Sequence, residues 1–282
     1  MKRLSVILLV WGISDARIVE ADPDVPVECD KVPEDMKCIP AGDFIRGADD
    51  DAKDQRPKST IFISTFFMDT YEVTNGDFKE CVKAGVCRKN AGPAYKGFSG
   101  KKQPIVGVKW FDARDFCQWK GKRLPTEAEW EKAARGPNGN IYSWGNEKAT
   151  CKRAIIEENG EKGCGHGEAP KWATADVGSM AAGEYGLYDM AGNSWEWVQD
   201  WYTKSYADCG KDCEGPDPKG PCGGADECEG HRHRSVRGGS WWWPWKYSRG
   251  QWRRAHLPGN KPFHHFGFRC AMSVPDDKAK DK

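Results

Sequence analysis

The chain has 282 residues, 38% hydrophobic and 30% charged, which is the composition of a folded domain with its own core and excludes a disordered polymer. Lys and Arg number 43 against 42 Asp and Glu, a formal net charge of +1, so no extended basic field marks the protein for nucleic acid. Fourteen Trp beside 32 Gly and 17 Pro describe a loop-rich fold pinned by large flat side chains, with few long helices.

Lys2 and Arg3 precede the apolar run LSVILLVWGI, and Ser14 and Ala16 supply a small-x-small cleavage pattern. Residues 1–21 are therefore expected to be a signal peptide, since the run is short for a membrane span. The competing reading, an apolar first strand, finds no alternation in the polar, Pro-rich RIVEADPDVPVECD that follows. Residues 22–37 read as an N-terminal extension. A periplasmic or secreted protein is expected, a monomer with no membrane span in the mature chain.

Twelve cysteines agree with export, because an even number outside the reducing cytosol reads as disulfides. Local spacings suggest Cys29 with Cys38, Cys81 with Cys87, and Cys151 with Cys164. Cys209, Cys213, Cys222 and Cys228 form a fourth cluster whose pairing the spacing leaves open. Zinc competes there, although the paired C-x2-C signature of ribbon sites is missing. Cys117 and Cys270 remain, and a bond between them would close a long loop.

Helices are legible from their caps. TNGDFKECVKAG opens on Thr74 as N-cap and closes at Gly85, WFDARDFCQWKG is a second helix, and PTEAEWEKAARG is a third. In the third, Thr126 and Glu129 make a capping box and Gly136 is the expected C-cap. Beyond it the helical period disappears, and NSWEWVQDW and HFGFRCAMSV alternate apolar with polar residues as half-buried strands do. Between them lies GGSWWWPWKYSRGQWRR, with five tryptophans around one proline, which suits a core, a ligand platform or an active-site wall.

The series CIPAGDFIRG, YEVTNGDF, PIVGVKWFDARDFCQWKGKRLPTEAEWEKAARG, YSWGN, GEYGLYDMAGNSWEWVQDW, SVRGGSW and FGFRCA resembles the formylglycine-generating enzyme, or sulfatase-modifying factor, family. Seven motifs occur in the family's order from Cys38 to Val274. The resemblance implies one α+β domain over 38–274 with the formylglycine-generating-enzyme fold, C-type-lectin-like, disulfide-rich and poor in regular secondary structure, followed by a disordered tail over 275–282. It also implies that Cys117 and Cys270 are bonded to each other. In DMAGNSWE, the Asp189 and Glu196 carboxylates and the Gly192 and Ser194 carbonyls fall on the family's ligands for a structural Ca²⁺. Two carboxylates with backbone carbonyls on a tight loop suit that hard cation.

In the family, two cysteines five residues apart after GGS bind Cu(I) and convert a substrate cysteine to formylglycine. In this register the two positions hold Trp243 and Ser248, so no catalytic residue is assigned and copper is not expected, because Cu(I) needs soft thiolates. Trp195 and Ser240 match residues lining the family's active site. The expected function is recognition of a peptide or glycan in a cleft of Trp195, Ser240, Trp241, Trp243, Trp245, Arg249 and Arg253, with Arg254 adding a further guanidinium. Two alternatives stand beside it. One is an oxidoreductase with non-cysteine metal ligands, for which His231, His233, His256, His264 and His265 are available. The other is a structural envelope protein whose tryptophans are core.

Overall fold

The computed structural model describes residues 29, 31–89, 91–93, 95–165, 171–259 and 264–274. The expected signal peptide and tail lie outside these residues. Structure begins ahead of Cys38: strand β1 (Met36–Ile39) already pairs with β4 (Phe66–Asp69), and β9 (Ala271–Ser273) completes that antiparallel sheet on β4's other edge. The N- and C-terminal ends of the domain thus share one sheet. A hairpin of β2 (Gly42–Arg46) and β3 (Ser59–Ile63) stands apart. A third sheet has the order β7 (Arg254–His256), β6 (Arg234–Arg237), β5 (Trp195–Trp201), β8 (Phe266–Gly267).

The helices form where the caps place them. Thr74 accepts from Asp77 N ahead of α1 (Asn75–Lys83), and Thr126 with Glu129 makes a reciprocal capping box ahead of α3 (Glu127–Arg135). Gly136 ends α3 at φ +66. Helix α2 (Trp110–Trp119) packs through Trp110, Phe116 and Cys117 into a core shared with β5. Indole N–H groups tie the layers across that core, with Trp110 Nε1 donating to the Val198 carbonyl and Trp197 Nε1 to the Val108 carbonyl.

Strand β5 departs from the half-buried pattern expected of it, because six of its seven residues are buried. Its polar residues Glu196 and Asp200 point into bonded interior positions: Glu196 accepts from Arg269 and Asp200 accepts from Glu127 N. HFGFRCAMSV likewise forms two short strands separated by the fully buried Arg269.

All twelve cysteines are paired. Cys117–Cys270 joins α2 to the approach of β9, and Cys29–Cys38, Cys81–Cys87 and Cys151–Cys164 are local links. The fourth cluster resolves into Cys209–Cys213 and Cys222–Cys228, which leaves no thiolate there for zinc.

Candidate functional site

Strand β6 ends in a turn that only glycine allows. Gly238 and Gly239 have φ of +89 and +76, and a Cβ on Gly239 would stand 2.4 Å from Ser248 Oγ. The turn brings Gly239 against Ser248, and the segment between them closes through Trp243 N donating to the Ser240 carbonyl and a 3-10 turn over Trp245–Ser248. It is held against the DMAGNSWE loop by Gly192 N to the Gly238 carbonyl at 2.7 Å and Trp241 N to the Asn193 carbonyl at 3.1 Å.

The residues expected to line one cleft go to different places. Trp195, Ser240, Trp241 and Ser248 are buried. Trp241 packs on Phe98, and its Nε1 donates to the His264 carbonyl, so it is a core residue and not a wall facing solvent. Arg253 is unavailable to a ligand: both of its outer contacts with Glu127 are 2.8 Å, and it also donates to the Asp54 carbonyl. Arg249 pairs with Asp51. Trp243 is half-buried against Tyr247, while Trp242 and Trp245 are exposed, with Lys162 over one and Lys148 over the other. Trp242 is the exposed face that the register did not single out.

Around Trp243 four polar atoms are buried without a hydrogen-bond partner among the described residues: Trp195 Nε1, Trp243 Nε1, Ser240 Oγ and Ser248 Oγ. Most buried polar groups find a partner, so several orphans on neighbouring positions mark a place for water or a ligand. Arg254 lies beside the two indoles, its guanidinium 5.5 Å from the Trp195 ring and 5.0 Å from that of Trp243.

Beneath the same loop lie three buried carboxylates, Glu72, Asp189 and Glu196, with one guanidinium, Arg269. Arg269 donates to both Glu196 oxygens at 2.7 Å, and Trp130 Nε1 adds a bond at 2.8 Å. Asp189, at φ +58, accepts from Gly178 N. Glu72 accepts from Asn193 Nδ2, Ser194 N and Ser194 Oγ. Burial pushes the Asp189 carboxyl up to about 6, and burial together with the Asp189 and Glu196 charges pushes Glu72 well above the carboxylate range. Nothing in YEVTNGDF marks Glu72 as part of this cluster, because its partners lie more than a hundred residues away.

Residues 22–274 match the sulfatase-modifying factor enzyme 1-like domain. The chain belongs to the sulfatase-modifying factor family. The formylglycine-generating enzyme of Bos taurus is 30% identical over 308 residues, covering 91% of this chain and 79% of that protein. The serine/threonine-protein kinase pkn1 of Chlamydia caviae is 33% identical over 261 residues, covering 85% of this chain. The chain spans only 38% of that kinase's length. Among solved structures, PvdO from Pseudomonas aeruginosa aligns with a TM-score of 0.68 at 26% identity, covering 85% of this chain and 94% of that one.

For a sulfatase-modifying factor domain, two features follow from the geometry. The segment that matches the family's thiol-bearing motif is intact in its Gly-Gly-Ser turn, yet every cysteine sulfur in the chain is already in a disulfide. Among the described residues no group of three or more His, Cys, Asp or Glu side chains is arranged to hold a metal ion. A divalent ion on the DMAGNSWE loop would therefore depend on the Gly192 and Ser194 carbonyls beside Asp189 and Glu196. Both Glu196 oxygens are already taken by Arg269, so an ion there would share Glu196 with that guanidinium. No helix of the described residues is long and apolar enough to cross a membrane.

Proposed function

We propose that this domain is an exported recognition module of the sulfatase-modifying factor family that binds a ligand beside Trp243 and does not convert cysteine to formylglycine. The observation that carries the proposal is the pairing of all twelve cysteines; in the register that the family motifs imply, Trp243 and Ser248 take the thiol positions. An indole cannot ligate Cu(I), a hydroxyl does so poorly, and no free thiol stands in reserve. Recognition is supported by the orphan donors of Trp195 and Trp243 and the orphan hydroxyls of Ser240 and Ser248, which a ligand would satisfy. Six disulfides support export, since such bonds persist in oxidising compartments.

A structural calcium ion is part of the same proposal. Asp189 and Glu196, with the Gly192 and Ser194 carbonyls, would hold it, and its chemistry there is charge neutralisation of a carboxylate-rich loop. This chain's residues do the positioning: Arg269 fixes Glu196, and Gly178 N orients Asp189.

The experiment is incubation of the purified protein with copper, oxygen and a Cys-x-Pro-x-Arg peptide, followed by mass spectrometry. The peptide is expected to keep its cysteine. Appearance of formylglycine would overturn the proposal and the register across GGSWWWPWKYS.

A further inference from the structure

Arg254, half-buried, differs from most of the chain's buried arginines. Arg237, Arg253 and Arg269 each meet a glutamate at 2.7 to 2.8 Å, and Arg234 is surrounded by backbone carbonyls, including those of Gln199 and Ala225. Among the described residues no carboxylate lies within ion-pair distance of Arg254. Its guanidinium instead lies 5.0 to 5.7 Å from the ring centres of Trp195, Trp243 and Phe266. The ionisable groups acting with it are Tyr247, His256 and His265, none of them anionic near neutral pH. Glu157, whose N–H donates to the Trp243 carbonyl, gives its own carboxylate to Gly160 N.

We propose that the Arg254 guanidinium, beside Trp243, binds a carboxylate carried by a ligand with a planar apolar body. This assignment rests on the recognition reading above and names the ligand chemistry for it. The orphan groups here include two indole N–H groups, which can only donate and so call for an acceptor, beside two hydroxyls and His265 Nδ1, which can take either role. A carboxylate offers two oxygens to the guanidinium fork and spare lone pairs to the indoles. Its apolar body would lie along the half-buried rings of Trp243, Tyr247 and Trp252, which already contact one another. A cationic or neutral ligand would leave Arg254 unpaired in a partly desolvated position, the costlier outcome.

The test is an NMR titration of the ¹⁵N-labelled indole groups with phenylacetate and, separately, with isosteric uncharged phenylacetamide. Saturable shifts of the Trp195 and Trp243 N–H resonances, assigned through Trp243→Phe, are expected with phenylacetate alone. Arg254→Gln is expected to weaken the dissociation constant at least about tenfold, Arg254→Lys to recover part of it, and the exposed-charge control Lys83→Gln to leave it unchanged. If Arg254→Gln does not fold, the comparison of the two ligands on the unaltered protein still decides. Equal responses to both ligands, or none to phenylacetate, overturn the carboxylate assignment while leaving recognition of an uncharged ligand standing. Formylglycine production overturns the recognition reading itself.

Discussion

Glu127 and Arg253, 126 positions apart in the chain, form a two-pronged ion pair in the interior, with Nε and Nη2 each 2.8 Å from a carboxylate oxygen. Arg237 adds a third contact to Glu127 and a further one to Glu131, whose other oxygen takes Arg135 and Gly47 N. Glu127 and Glu131 stand one turn apart on α3, so a single helix face meets arginines from β6 and from the approach to β7. The opposing arginines hold the Glu127 carboxyl down at about 2 despite its burial. Replacing Glu127 by Ala strands two guanidinium groups and is expected to destabilise the protein by about 3 to 5 kcal/mol. Chemical denaturation measures this, and a loss under about 1 kcal/mol would mean that the network relaxes around the gap.

Asp200 predicts a pH dependence. Burial, reinforced by the Glu127 charge, pushes its carboxyl up to about 8. Between the unfolded value near 4 and that folded value, the native state holds a proton that the unfolded state has released. Stability from this group is therefore complete at the acid end and falls as pH rises through about 4 to about 8. Asp200→Asn keeps an acceptor for Glu127 N and cannot ionise, so the variant's melting temperature relative to wild type should rise steadily across that window. Parallel profiles for the two proteins would remove Asp200 as the source.

Local features were legible in the sequence, and long-range ones were legible only through family resemblance. The Thr126–Glu129 capping box and the Gly136 stop sit within one helix and depend on neighbours three or four residues away. The Cys117–Cys270 bond spans 153 positions, and its pairing entered by resemblance to the family's motifs. Arg253 and Arg254 show what was hidden. Successive residues of an extended chain face opposite ways, so one guanidinium enters the Glu127 network and the next lies beside Trp195 and Trp243. Two adjacent arginines in a string carry no mark of which face is interior. The tryptophan run has the same ambiguity, with Trp241 in the core and Trp242 exposed beside it.

The Cys117–Cys270 bond closes the longest loop among the disulfides. Removing it with Cys117→Ser and Cys270→Ser together is expected to cost about 2 to 5 kcal/mol, more than the loss of Cys209–Cys213, which closes a loop only four positions long. Denaturant midpoints of the two double variants test the order, and a reversed order would contradict it.

Chelation tests the proposed calcium site on the DMAGNSWE loop. Calcium-loaded protein should melt lower after treatment with a chelator, whereas Asp189→Asn, which lacks a carboxylate ligand, should respond little. Wild type and variant responding equally would exclude Asp189 from an ion site, and a wild type indifferent to chelation would exclude the ion.

In the proposed register Trp243 and Ser248 stand where the family keeps its copper thiols, and with all twelve cysteines paired no other thiol substitutes for them. Competition titration against a colorimetric Cu(I) chelator tests it most directly, on the wild type and on the double variant Trp243→Cys with Ser248→Cys. The wild type is expected to withdraw no copper, and the reduced-site variant to bind about one equivalent tightly. Copper uptake by the wild type, or none by a folded double variant, would contradict it.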